Sequence, residues 1–383
     1  MRVVQVTLAL ASLAGAVSAG AGGVQVGAIR WDAYWGKPGD ADWDDKNFGV
    51  VTRTTTLDMS PQKWHYRLPF FGQELNDTAI TCDGNSADVM GQELEYAAAH
   101  GINFWSFCNY PIGCKDMHPP DSDCKGIQCC ADNVGLSYAW NQYLAHPDNH
   151  KVNFTLLLQP GYWFPTALKG GNETLAQELG RYVAYFRRPN YQKVLGGRPL
   201  VFLFGGAAVA SDLAALRAAT KAALGVEPYI ASMNGQDLPG LIDAASKYTT
   251  GGGTPSGSPF VSTIAEPEAA LWASRAAAGR KVIPTVSAGW DNRPRIDDCP
   301  WGNGSAAHTI DPTMQELEAH TAAGLAFVKA NPGAAETNTM LLSAWNEHDE
   351  GHWIEPTIAK YGGAEKLEAI KRAIDKAAAS LRE

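Results

Sequence analysis

The sequence lacks most of the signatures that announce common activities. Only 19 % of its residues are charged, with no basic run and a formal net charge of −9, which argues against a nucleic-acid partner. There is no Gly-x-Gly-x-x-Gly turn and no Walker pattern, so no cofactor or nucleotide phosphate site is marked. No Gly-x-Ser-x-Gly elbow supports a serine nucleophile. Paired Cys-x-x-Cys spacings and the His-Glu-x-x-His order are missing, so neither familiar zinc pattern is present. Beyond the N-terminus no stretch is long and apolar enough to span a bilayer. No break in composition divides the chain into two domains. A hydrophobic content of 45 % places it far from disorder.

Residues 1–19 read as a secretory signal. Arg2 supplies charge, Val3 to Val17 is apolar or small, and Val17-Ser18-Ala19 is a small-residue cleavage site. The expectation is a secreted, extracellular chain, free of the membrane after cleavage, monomeric, with residues 20–383 as one domain. The cysteines agree with export: Cys82, Cys108, Cys114, Cys124, Cys129, Cys130 and Cys299 are seven, so at least one has no intramolecular partner. Five of them between 108 and 130 predict a disulfide-stapled loop. Asn76, Asn153, Asn172 and Asn303 open glycosylation sequons. Asn153 falls in a predicted strand, where modification is least expected.

Apolar runs of strand length recur along the chain. They are Val24 to Trp31, Ile102 to Phe107, Val152 to Leu158, Arg198 to Phe204, Pro228 to Ser232, a weak Tyr248 to Gly251, Lys281 to Ser287, and a last run opening at Met340. Helical patterns follow at Ala87 to His100, Asn133 to His146, Glu173 to Phe186, Leu213 to Leu224, Leu238 to Ser246, Ala265 to Ala278, Met314 to Ala330 and Glu365 to Leu381. Asn172 and Ser211-Asp212 look like N-caps. Eight strands alternating with eight helices predict a single-domain (βα)8 TIM barrel. About fifty residues without periodicity after the first strand predict a long functional loop, and the cysteine cluster predicts a second after strand two.

Chemistry in such a barrel collects where strands end. The richest end is the eighth, Leu341-Leu342-Ser343-Ala344-Trp345-Asn346-Glu347-His348-Asp349-Glu350-Gly351-His352-Trp353-Ile354-Glu355-Pro356. Glu347 and Glu350 share a face if this segment curls into a turn. Two carboxylates held close repel, so one binds a proton near neutral pH. Glycoside hydrolysis uses such a pair. Glu355 and Asp291 compete for the role; Glu355, before Pro356, fits a structural turn. Asp291 and Arg293 suit either sugar hydroxyls or a salt-bridged loop. Trp31, Tyr34, Tyr66, Trp163, Trp290 and Trp353 are candidate sugar contacts. Asp32, Asn109 and Asn346 suit hydroxyl binding or orientation of the acids. His348 and His352 lie four apart, but no third metal ligand stands out, so no metal is expected.

The eighth-strand motif resembles the Asn-Glu-x-x-Glu-Gly…Glu-Pro signature of glycoside hydrolase family 99, the endo-α-mannosidases and endo-α-mannanases, and equally that of the neighbouring WbsX-like family. Gly289-Trp290-Asp291-Asn292-Arg293-Pro294-Arg295 is similar to the block after their seventh strand, and Phe186 to Tyr191 with Gly197 to Val201 to the block before their fourth. Gly101-Ile102-Asn103-Phe104 is similar to their second strand. The resemblance implies a retaining hydrolase of an α-linked, mannan-like polysaccharide or oligosaccharide. It implies Glu347 as base on the sugar 2-hydroxyl, giving a 1,2-anhydro sugar, and Glu350 as acid, then base toward water. His348 and Asp349 depart from it, standing where the family has Trp and His. A glycosyltransferase and an inactive carbohydrate-binding protein are the alternatives. Export, with no diphosphate-binding turn, argues against the first.

Overall fold

The computed structural model describes residues 23–36, 55–109, 138–159, 175–296 and 304–380. Outside them lie the signal segment, part of the first long loop, Cys114, Cys124, Cys129, Cys130, Cys299, Trp163, Asn172 and Asn303.

The strands are β1 Gln25–Arg30, a hairpin of β2 Gly72–Asn76 and β3 Ala79–Cys82, then β4 Phe104–Cys108, β5 Asn153–Leu158, β6 Lys193–Val194, β7 Arg198–Leu203, β8 Tyr229–Ser232, β9 Ala244–Ala245, β10 Thr285–Ser287 and β11 Thr339–Ser343. Eight of them form one parallel path, β10–β11–β1–β4–β5–β7–β8–β9. Ala245 bridges Val282 in parallel, its N–H donating to Lys281 at 2.8 Å and its carbonyl accepting from Ile283 at 3.0 Å. That contact joins β9 to the chain entering β10. The architecture is that of a (βα)8 fold in a single domain.

Side chains alternate with the strand period of two. Ile29, Phe104, Leu157, Leu200, Phe202, Tyr229 and Leu341 fill the inside of the ring. Val26, Ala28, Trp105, Phe154, Leu156, Val201, Ile230 and Leu342 face the helices. The helices are α1 Ala87–Ala99, α2 Tyr138–Ala145, α3 Leu175–Phe186, α4 Ala210–Leu224, α5 Glu266–Ala277, α6 Met314–Ala330 and α7 Glu365–Ala379. Helix α3 shows why they dock: Leu175, Leu179, Tyr182 and Phe186 fall on one stripe and pack against the sheet. Ser86 caps α1, and Thr313 with Glu316 forms a capping box on α6. No helix among the described residues is long and apolar enough to cross a membrane.

Three expectations are corrected. Leu238 to Ser246 is not helical, because Pro239 and Gly240 turn the chain and Asp243 is tied down by Arg198, Arg217 and the Ile230 N–H. The sixth barrel strand is therefore Ala244–Ala245 rather than Tyr248 to Gly251, and Tyr248 lies beyond its end. Helix α4 begins at Ala210, so Ser211 and Asp212 sit inside its first turn instead of capping it. The connection after β1 is also less irregular than its sequence. The 3-10 turn Gln62–Arg67 and the hairpin enclose a small core of Met59, Trp64, Leu68, Ile80 and Cys82 against Tyr34. Cys82 and Cys108 are buried free thiols.

Candidate active site

Residues 344–355 form a loop that closes on its own stem. The Ala344 N–H bonds to the His352 carbonyl at 2.5 Å, and the Ile354 N–H to Ala344 at 2.9 Å. Between them His348–Gly351 makes a tight turn, Gly351 N–H to His348 carbonyl, 3.3 Å. The turn, rather than a helix, brings Glu347 and Glu350 together: oxygens of the two carboxylates lie within 4.8 Å of each other. Both are buried.

A second loop is laid against the first. The Asp291 N–H donates to the Glu350 carbonyl at 2.7 Å. Glycines permit that approach. Gly351 has φ +76°, and a Cβ there would come within 2.6 Å of the Asp291 nitrogen; a Cβ on Gly289 would strike the Gly351 carbonyl. The 3-10 turn Arg293–Ile296 then carries Arg295 in among the acids. Its Nε pairs with Asp349, its Nη1 with Glu350, and its Nη2 lies 3.7 Å from Glu347.

The two glutamates are electrostatically unlike. Burial pushes the Glu347 carboxyl well above its ordinary range, the Glu350 charge adds to this, and Arg295 opposes it. Its Oε1 accepts from the Tyr248 hydroxyl at 2.5 Å, and its Oε2 is buried with no hydrogen-bond partner among the described residues. Burial also raises Glu350, but Arg295 and His352 outweigh it and hold that carboxyl at about 2. His352 Nε2 is 2.9 Å from Glu350, its Nδ1 3.1 Å from the Ser343 hydroxyl, and its ring stacks on Trp290 at 5.6 Å. Of the two, Glu347 is therefore the acid whose surroundings favour the proton and Glu350 the one whose surroundings favour the charge.

Beneath the acids a buried polar cluster fixes the loop to β1. Asn346 accepts from the Trp31 N–H at 2.9 Å and donates to Asp32 at 3.1 Å. Arg30 binds Asp32 at 2.7 Å and Glu93 at 2.9 Å. Burial raises Asp32 to about 6 against the pull of Arg30. Trp345 donates to Glu93 at 3.0 Å. His348, kept neutral by burial, meets Glu355 at 2.8 Å. Glu355 is itself pushed up by burial, with Glu93 adding to it.

The other candidates divide clearly. Trp31 lies under Arg295, 5.4 Å from the guanidinium, and Tyr34 donates to Asp349 at 2.6 Å, so both touch the acid cluster. Trp290 is half-buried and stacks on His352, the imidazole that meets Glu350. Asp291 spends its carboxylate on Arg67 and Arg293. Its pKa is lowered although burial pushes the other way, the Arg293 hydrogen bonds leading the opposition. Trp353 is buried against His348 on one side, with the Lys366 ammonium 3.3 Å from its centroid, and packs rather than opens. Tyr66 accepts from Arg67 at 3.0 Å, and Asn109 accepts from Arg181 at 3.1 Å. Trp163 lies outside the described residues.

Arg295 and Tyr248 are the site residues that sequence reasoning passed over, and His352 was weighed only as a metal ligand. The one signal for Arg295 is its place at the end of the strand-seven block; Tyr248 was hidden by reading it as strand. Glu347, Glu350 and His352 could offer three metal-ligand atoms within 4.8 Å. The Arg295 guanidinium already supplies a cation to two of them, and a divalent ion placed there would meet its charge.

No protein-family model and no curated protein matches the chain. Solved structures do match. A glycoside hydrolase-like protein aligns with a TM-score of 0.56 at 15 % identity, over 94 % of this chain and 95 % of its own. The family 99 endo-α-mannosidase from Bacteroides thetaiotaomicron aligns with a TM-score of 0.56 at 13 % identity, over 94 % of this chain and 99 % of its own. At such identities the likeness is one of fold.

Proposed function

We propose that the chain is a secreted glycoside hydrolase that cleaves an α-linked glycan with retention, Glu347 and Glu350 being the reacting pair. One observation carries the reading: two buried carboxylates with oxygens within 4.8 Å of each other, at the C-terminal end of a barrel strand, whose surroundings push their proton affinities apart. Retention enters the proposal through the motif's resemblance to family 99, in which the two acids serve as base and acid. The fold shared with an endo-α-mannosidase makes α-mannan the first substrate to try.

In this reading Glu347 is the base on the 2-hydroxyl and Glu350 the acid, then the base toward water. In the ligand-free site the bias runs the other way, burial favouring the protonated form of Glu347. Glu347 Oε2, buried without a hydrogen-bond partner among the described residues, can accept from a sugar hydroxyl. A hydroxyl donating there favours the carboxylate. Arg295 Nη2, 3.7 Å away, is placed to support that charge as the proton passes to Glu350.

Incubating the protein with mannans, glucans and microbial polysaccharides, and following released reducing ends by mass, tests the proposal. Glu347→Gln and Glu350→Gln should each abolish release while the fold survives. Turnover like wild type in either variant would sink it. Retention of the expressed protein inside the cell with its N-terminus unprocessed would remove the secretory part alone.

A further inference from the structure

Asp349 is a fully buried acid for which the proposed reaction has no use. It stands between the two glutamates in sequence, and its charge works against theirs, so its presence needs a reason. Its contacts supply one. Oδ1 accepts from the Tyr34 hydroxyl at 2.6 Å, and the Asp349 N–H donates back to the same phenol oxygen at 3.0 Å. Oδ2 holds the Nε of Arg295. A guanidinium is a rigid planar fork, so fixing Nε fixes where both terminal nitrogens point. Here Nη1 reaches Glu350 and Nη2 faces Glu347 at 3.7 Å.

We infer that Asp349, clamped by Tyr34, is a positioning residue that aims the fork of Arg295 at both acids of the pair. The inference rests on Glu347 and Glu350 being that pair, and it adds a residue that acts only through Arg295. Position 349 is also one of the two at which the motif departs from the family pattern it resembles. Besides Arg295, the groups facing Glu350 are Glu347 and His352 on its own loop, Tyr248 beyond β9, and the Cys108 thiol at the end of β4.

Titration of the glutamate side-chain carboxyl carbons in ¹³C-labelled, ligand-free, full-length protein tests this, with Glu347→Gln and Glu350→Gln assigning the two signals. In wild type Glu350 stays ionised to the acid limit of the fold. In Asp349→Asn the fork is no longer aimed, and Glu350 should titrate higher by about one pH unit or more. Merely deleting a neighbouring negative charge would move it lower, so the sign separates positioning from simple electrostatics. Tyr34→Phe changes no formal charge and should shift Glu350 upward by a smaller amount. An unchanged or lowered Glu350 in Asp349→Asn overturns the inference. If that variant fails to fold, the absence of a shift in Tyr34→Phe overturns it instead. Hydrolysis by the two glutamine variants is scored separately, so failure of the acid pair is told apart from failure of its positioning.

Discussion

Glu347→Gln is expected to stabilise the fold at neutral pH, and increasingly so as pH rises. Burial first, then the Glu350 charge, lifts Glu347 well above the ordinary carboxyl value of 4.5, with Arg295 in opposition. Above pH 4.5 the unfolded chain has released this proton, whereas the folded chain keeps it. Stability from this group is therefore complete below that pH and falls by about 1.4 kcal/mol per pH unit until the folded-state value is passed. Between about pH 5 and pH 7 the loss reaches at most about 3 kcal/mol. Glutamine has no proton to take up. Its Oε1 can still accept from Tyr248, and its amide group replaces the protonated oxygen. Glu350→Gln should do the opposite. Burial raises Glu350, but Arg295 and His352 win and hold it at about 2, so its contribution is present above pH 4.5 and lost as pH falls toward 2. A drop from 4.5 to about 2 corresponds to about 3 kcal/mol. Urea unfolding of the three proteins between about pH 5 and pH 8 is the assay. Equal destabilisation by both substitutions, or a Glu347→Gln difference that stays flat with pH, would refute the placement of the proton.

Two further outcomes follow from single contacts. Tyr248→Phe removes the 2.5 Å bond to Glu347 while leaving the stack on Phe204 at 4.1 Å; a bond of this kind is worth about 1.5–3 kcal/mol, so kcat/KM should fall about 10- to 100-fold, and wild-type kinetics would contradict it. Gly351→Ala places a methyl 2.6 Å from the Asp291 nitrogen at a φ of +76°, which should cost about 2 kcal/mol or more, read as a fall in Tm together with loss of activity; an unchanged Tm would show that the two loops can part without harm.

Much of the ring was legible because strand burial repeats every second residue and helix burial every third or fourth. Met314–Ala330 and Ala87–Ala99 match their patterns closely. The sixth strand escaped because two alanines carry almost no pattern, and the helical look of Leu238 to Ser246 rested on composition that Pro239 and Gly240 override. In the site, Glu347 and Glu350 were legible because three residues of chain bring them together. Arg295 and Tyr248 were not, since they meet Glu347 across 52 and 99 residues.

The amino-acid order alone determined the alternation of strands and helices, and so the barrel, and it put two glutamates with small and aromatic neighbours at the end of the eighth strand. Those are local properties, set by side-chain period and short spacing. Only the tertiary structure decided what each acid is. Glycines at 289 and 351 let one loop lie on another and bring Arg295 between the carboxylates, and the end of β9 brings Tyr248 to Glu347. Proton affinity is fixed by burial and by the nearest charge, and both are properties of neighbours in space that spacing along a chain does not carry.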